Sequence, residues 1–342
     1  MGTPDVLDTM KVVHIQRRPP ADKFSIEGYF SRVRICLKGT ADVSVFELPH
    51  FSKGIWGRMV NMLAAARNQR DINHVTGDIH YAALLLRRNH TIMTVHDCEI
   101  LSRLKGWKRA VVKWLWYTLP AKRVAAMTVN SDETKRQLLN IIDYPAERIY
   151  VIPVSVSPLF KPTPQAFNSN CPRILQVGTK ANKNVMRLIE ALHGLVCQLD
   201  IVGPISDEQH LALKEHKIQF QNYRQLSDEE IVKRYQQADI VSFVSTHEGF
   251  GMPIVEAQLV ERVCVTSNCS SMPEVAGQGA CVVDPYDVTS IREGFLKVTA
   301  DSEYRESLIQ HGRENRSRFD ADRIAHSFLS VYQTVYNRVC QT

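Results

Sequence analysis

A chain of 342 residues is too long for one ordinary domain and long enough for two units with cores of their own. With 44% hydrophobic and 23% charged residues it reads as globular, and no run of about 18 apolar residues is present to span a membrane. The net charge of +6 is unevenly spread: residues 1–160 hold 23 Lys and Arg against 14 Asp and Glu, whereas residues 161–342 hold 19 against 22. A basic front half suits a phosphate-bearing acceptor or a membrane surface, or is ordinary surface charge. The eight cysteines form no Cys-x-x-Cys pair and mostly have apolar neighbours, as buried reduced thiols do; the twelve histidines give no His-Glu-x-x-His, so no metal site is expected. Arg17, Arg18, Pro19 and Pro20 interrupt the first thirty residues, which lack the apolar core of a signal peptide. The expected location is cytoplasmic.

In chain order, short β-branched runs alternate with helical stretches. Lys11–Gln16, Val43–Phe46, Thr91–Val95, Met127–Val129 and Tyr150–Ile152 read as strands of a first parallel sheet. The basic stretch from Lys105 to Tyr117 holds Lys108, Arg109 and Lys113 together with Trp107, Trp114 and Trp116. It is either a helix for the surface of an anionic bilayer or a helix whose Trp114 and Trp116 pack inward. Four prolines between Ser157 and Pro172 exclude helix and strand there. The pattern then restarts with strands at Arg173–Val177, Gln198–Val202, Ile240–Val244 and Val263–Thr266, and helices near 183–195, 228–237 and 253–260. Asp320 to Val339 forms a last helix with an apolar stripe. The expected organisation is a first Rossmann-like domain over 1–160, a linker over 161–172, a second such domain over 173–319, and a terminal helix over 320–342 packing back toward the first. In paired α/β domains ligands bind at the carboxyl ends of strands, so a cleft between the domains is the expected site.

The densest chemistry lies at Ser245-Thr-His-Glu248-Gly249-Phe250-Gly251-Met252-Pro253-Ile-Val-Glu256. A strand ends there, two glycines allow close backbone approach, and Pro253 suits a first helical turn, so backbone amides are offered to an anion. Glu256 falls in an otherwise apolar helix and needs a partner if buried; it also suits the helix dipole, and Glu248 alone reads equally as a solvated loop acid. The arrangement of the two glutamates around Gly-Phe-Gly resembles the retaining glycosyltransferases of family 4, which have the GT-B fold of two Rossmann-like domains.

That resemblance implies a nucleoside-diphosphate-sugar donor, with a UDP- or GDP-sugar foremost, and no other cofactor. It implies that Glu248 contacts the sugar near the transferred carbon, Glu256 holds the ribose, and the amides of Gly249, Phe250 and Gly251 face the sugar and diphosphate, with Met252 also on the donor side. Ser270-Ser-Met-Pro273-Glu274-Val275 and Val283-Asp284-Pro285 match later turns of the family. Gly178-Thr179-Lys180-Ala-Asn-Lys183 resembles its phosphate-binding turn, with Lys183 neutralising the diphosphate. Thr179 stands where many members have arginine; Lys180 either supplies the second charge or faces solvent, and a lysine lacks the bidentate fork of arginine. Tyr223 and Arg224 resemble the loop that borders the base, although Ser227 beyond them is also simply a good N-cap.

In the front half His96-Asp97 ends a strand, where family members carry a histidine near the transferred sugar; Gly77 and Asp78 suit an acceptor-side loop or merely cap the next helix. The only Asp-x-Asp, Asp320-Ala-Asp322, reads as a helix cap, so transfer is expected to be metal-free. The expected activity is retaining transfer of a hexose-type sugar to a hydroxyl of a carbohydrate or lipid-linked acceptor, in surface polysaccharide or glycolipid assembly. Peripheral contact with the inner membrane face is a further expectation, and nucleic acid is not an expected partner. A GT-B epimerase, a phosphorylase and a non-catalytic sugar-nucleotide-binding subunit are the alternatives.

Overall fold

The computed structural model describes residues 10–18, 25–102 and 104–341; Pro19 and Pro20 lie outside them. In the first half six strands, β1 (Lys11–Gln16), β2 (Asp42–Glu47), β3 (Ile72–Val75), β4 (Thr91–Val95), β5 (Ala126–Val129) and β6 (Ile149–Val151), form a wholly parallel sheet in the order β2-β1-β3-β4-β5-β6. The helices among them are α1 (Ser25–Cys36), α2 (Gly54–Arg67), the single-turn α3 (Glu99–Ser102), α4 (Gly106–Val112) and α6 (Asp132–Ile141). Between the last two, α4 runs on through a π-helical segment, Lys113–Thr118, into the short α5 (Leu119–Ala121).

The second half builds an equivalent parallel sheet from β7 (Arg173–Val177), β8 (Gln198–Val202), β9 (Gln219–Tyr223), β10 (Ile240–Phe243), β11 (Val263–Ser267) and β12 (Cys281–Val283), ordered β12-β11-β10-β7-β8-β9. Its helices are α7 (Val185–Leu192), α8 (Asp207–Glu215), α9 (Asp228–Gln237), α10 (Met252–Leu259), α11 (Met272–Ala276), α12 (Val288–Ala300) and α13 (Ser302–Asn315), and α14 (Ala321–Cys340) ends the chain. Ser206 and Ser227 head α8 and α9 with capping boxes, and Asp320 caps α14 through the amides of Asp322 and Arg323.

The chain divides into two compact units, residues 1–155 with 320–342, and residues 156–319. Strands β4 and β10 are buried along their whole length, as parallel strands covered on both faces must be. No described helix is long and apolar enough to cross a membrane. Cys98, Cys197, Cys264 and Cys281 are buried, whereas Cys340 is exposed.

In the first unit α14 lies against α1, and a buried polar chain ties it to the sheet. The Arg34 guanidinium only donates, so His14 Nδ1, 3.3 Å away, accepts. His14 Nε2 therefore carries the proton and donates to Tyr332 Oη of α14 at 2.9 Å; Tyr332 donates to His74 Nδ1 at 2.8 Å; His74 Nε2 donates to Thr94 Oγ1 at 2.7 Å. Thr94 and Thr128 hydroxyls close the chain at 2.6 Å. Burial first, and then mutual repulsion with other cationic groups, pushes the His14 pKa well below 6.5 and that of His74 down to about 3, so both rings are neutral.

Candidate active site

In the second sheet the chain steps from β7 outward through β8 to β9, and from β10 outward through β11 to β12. Neighbouring β7 and β10 thus mark the switch point, where connections diverge and the carboxyl ends of the strands leave a crevice. The loop after β7 carries Gly178 to Lys183 and the loop after β10 carries Glu248.

These two loops meet in one ion pair. Lys183 Nζ donates to Glu248 Oε1 at 2.7 Å, with the side chains 18% and 16% exposed. Asn182 Nδ2 donates to the same oxygen and to the His247 carbonyl, both at 3.1 Å, and the Thr246 amide donates to the Asn182 carbonyl at 2.8 Å. Lys183 Nζ also lies 4.6 Å from the centre of the Phe243 ring. Gly178 makes the approach possible: it adopts φ +87°, and a Cβ there would stand 3.0 Å from Lys183 Cε. Asn184 follows in the left-handed region at φ 59° and is fixed by bonds from Nδ2 to the Val244 and Pro285 carbonyls.

The Glu248 loop is held from the other side by the Ser270-Ser271 pair. Ser271 Oγ reaches the Glu248 and Phe250 carbonyls at 3.0 and 2.6 Å, and Ser270 Oγ reaches the Glu248 carbonyl at 2.5 Å. Gly251 at φ +121° starts α10, with Met252 as its first residue and Pro253 in the first turn. The Phe250 ring is buried edge-to-face against Phe319, so it packs in the core while the backbone, whose amide is the expected donor contact, runs along the loop. Glu256, half-buried, is met by Tyr235, whose hydroxyl donates to Oε2; burial, and then this carboxylate, push the Tyr235 pKa well above its usual value.

The other residues expected to bind the donor follow or end strands of the same sheet. Thr179 donates from Oγ1 to the Pro204 carbonyl and adds no charge, while Lys180 is exposed. Tyr223 ends β9, the outermost strand, where Arg234 donates to its hydroxyl at 3.0 Å and stacks 4.6 Å from its ring centre; Arg224 bonds Asn222 and is exposed. Asn182 and Tyr235 carry the geometry of the two glutamates yet were not among the expected site residues. Asn182 adjoins Lys183 in sequence, which is a signal, whereas Tyr235 meets Glu256 only through the tertiary fold.

The first unit has its own switch point between β1 and β3, where Arg17 and the Gly77-Asp78 turn follow the two strands. Arg17 pairs with Glu27 at 2.7 Å and lies 4.0 Å from Asp78. His96 follows β4; its Nε2 faces the Thr76 carbonyl at 2.9 Å and must donate. Asp97 Oδ1 accepts the Glu99 amide and so caps α3, while burial raises its pKa. Among the described residues no cluster of three or more His, Cys, Asp or Glu is placed to hold a metal ion.

Two parallel α/β units, each opening at a switch point, with a lysine–carboxylate pair in the second, are the architecture of a GT-B glycosyltransferase. A glycosyltransferase from Rickettsia africae has the same fold, with a TM-score of 0.73 at 18% identity over 95% of this chain and 98% of its own. Two family models match successive stretches, Glycosyltransferase Family 4 over residues 17–158 and Glycosyl transferases group 1 over residues 160–315, and the chain belongs to glycosyltransferase family 4. It is similar to O-antigen chain mannosyltransferase B of Escherichia coli, 26% identical over 72% of this chain and 71% of that protein. It is also similar to the MMP alpha-(1->4)-mannosyltransferase of Mycolicibacterium hassiacum, 25% identical over 82% and 75% of the two chains.

Proposed function

We propose that the protein transfers mannose, or a closely related hexose, from a nucleoside diphosphate to a hydroxyl of a growing surface polysaccharide or glycolipid, with retention of configuration and without a metal. The observation that carries this reading is the Lys183–Glu248 pair at the switch point. Mannose is supported by the names of the two relatives, and a polysaccharide acceptor by the first of them.

In the reaction the bond between the sugar's anomeric carbon and the phosphate oxygen breaks, and its electron pair leaves with the nucleoside diphosphate. Charge develops on that phosphate, and a fixed cation with backbone amides stabilises it without reorganisation. Lys183 supplies the cation and the start of α10 supplies amides. The acceptor oxygen bonds to the same face of the carbon, and its proton passes to the departing phosphate oxygen. Glu248, held through Oε1 by Lys183 and Asn182, orients the sugar, and Glu256, fixed by Tyr235, holds the ribose. By the family resemblance His96 of the first unit is assigned to the transferred sugar, and Gly77, Asp78 and Asp97 to the acceptor.

The test is release of nucleoside diphosphate from a panel of GDP-, UDP- and ADP-sugars, with and without a chelator, read beside thermal stabilisation by each nucleotide. Release with GDP-mannose that survives the chelator is expected. Neither release nor stabilisation with any donor would favour a non-catalytic subunit that binds some other ligand.

A further inference from the structure

Beside the loop that holds Lys183, the starts of α7 and α8 enclose a cavity of about 410 Å³, an ordinary size for a small-molecule site. Thr179, Lys180, Asn184, Arg187, Ser206 and Glu208 line it. Three of these are spent on the fold: Thr179 bonds the Pro204 carbonyl, Ser206 caps α8, and Asn184 holds the Val244 and Pro285 carbonyls. Lys180 and Glu208 are exposed and pair neither with each other nor with another described residue. Arg187 donates to Asn184 Oδ1 at 2.9 Å, and its guanidinium carbon lies 5.6 Å from the centre of the Tyr286 ring. Tyr286 is 61% exposed, yet it is fixed in place. Its amide donates to Asp284 Oδ1 at 2.8 Å, the carbonyl before it accepts from Asn184, and its hydroxyl lies 3.5 Å from the carbonyl of Thr246, two residues before Glu248. Single exposed aromatics are common on protein surfaces, whereas one held from three sides with most of its surface open is a stacking platform.

The mixture of charges selects the ligand. A phosphate or carboxylate would be repelled by Glu208, and a cation by Lys180 and Arg187. A neutral molecule dense in hydroxyls suits both signs, since its hydroxyls donate to the carboxylate and accept from the ammonium and guanidinium. A pyranose carries such hydroxyls around its edge and offers an apolar C–H face to an aromatic ring. We propose that this cavity and Tyr286 form a subsite on the second unit for the acceptor chain, with one sugar ring held by its hydroxyls among Lys180, Arg187 and Glu208 and the neighbouring ring stacked on Tyr286. The subsite rests on the transfer to a polysaccharide proposed above, and it puts Lys180 on the acceptor chain rather than on the diphosphate.

Calorimetric titration of the full chain, without donor, against manno-, gluco- and galacto-oligosaccharides reads the subsite directly. At least one series should bind, and more tightly as the chain lengthens beyond the disaccharide. Tyr286→Ala and Glu208→Ala should each weaken that binding about tenfold, and Tyr286→Trp should keep it within about threefold of wild type. Thermal unfolding, and its shift by GDP or UDP, should not change in these variants, because both side chains are exposed. In transfer assays the KM for a long acceptor should rise by a similar factor, while kcat, the donor KM and the KM for the shortest acceptor stay as in wild type. Absence of binding by every series, equal affinity in wild type and Tyr286→Ala, or displacement of the oligosaccharide by inorganic phosphate would overturn the proposal. Binding is measured without transfer, so sugar binding that Tyr286→Ala weakens supports the subsite whatever the turnover, and transfer with an unmoved acceptor KM overturns it while leaving the donor-site reading intact.

Discussion

Lys183 Nζ and Glu248 Oε1 stand 2.7 Å apart although the two residues belong to different loops, each leaving one of the two strands at the switch point of the second sheet. The parallel topology brings the loops together, and Gly178, with no side chain, leaves room for the lysine stem to cross between them.

Lys183→Met keeps most of the stem and removes the charge. If the lysine stabilises the departing diphosphate, kcat should fall about 100-fold or more, the range seen when one electrostatic stabiliser is lost. Steady-state release of nucleoside diphosphate measures it, and a near-normal kcat would remove Lys183 from the reaction.

Gly178→Ala places a methyl group 3.0 Å from Lys183 Cε on a backbone at φ +87°. The strain alone should cost about 1–2 kcal/mol. Activity should fall further than stability, because the lysine is displaced; parallel urea denaturation and turnover measurements separate the two.

Tyr332→Phe leaves His14 Nε2 and His74 Nδ1 without their shared partner in a buried site. A loss of about 1–3 kcal/mol is expected for each nitrogen left unpaired. The loss should appear in the unfolding transition of the first unit, which needs a probe of its own because two units need not unfold together.

The same histidines give stability a pH dependence. In the fold His14 stays neutral well below 6.5 and His74 down to about 3, whereas in the unfolded chain both take a proton near 6.5. The unfolded state therefore binds more protons below that pH. The contribution is fully present above about 6.5 and declines as pH falls toward about 3, with a slope near 1.4 kcal/mol per pH unit for each histidine. Urea midpoints across that window check it, and His74→Gln should flatten the slope by one proton.

The sheets were legible where β-branched runs mark buried parallel strands, as in β4 and β10. Strand β9, Gln-Phe-Gln-Asn-Tyr, lies at a sheet edge and is largely polar, so its pattern reads as loop. Strand β3 hides for a different reason: Asn73 and His74 are buried polar residues held by hydrogen bonds, which hydrophobic periodicity does not register. Helix α2 carries its bulky side chains outward and therefore looks like a core helix in sequence. Glu248 stands out because it precedes Gly-Phe-Gly, and Lys183 because it lies in the turn that follows the Gly178 strand end. Tyr235 does not, since nothing near it in sequence hints at a carboxylate 21 residues away. Phe250 serves two ends, its ring packing in the core against Phe319 while its amide belongs to the motif.

The most direct test of the donor site is Glu248→Gln, which preserves the size of the side chain and its contact with Asn182 while removing the charge. The nucleoside diphosphate should still bind within about threefold of wild type, because the phosphate and ribose contacts remain, while sugar transfer falls by at least about 100-fold. Transfer at a rate close to wild type would contradict the assignment of Glu248, and with it the reading of the Lys183–Glu248 pair as the centre of the site.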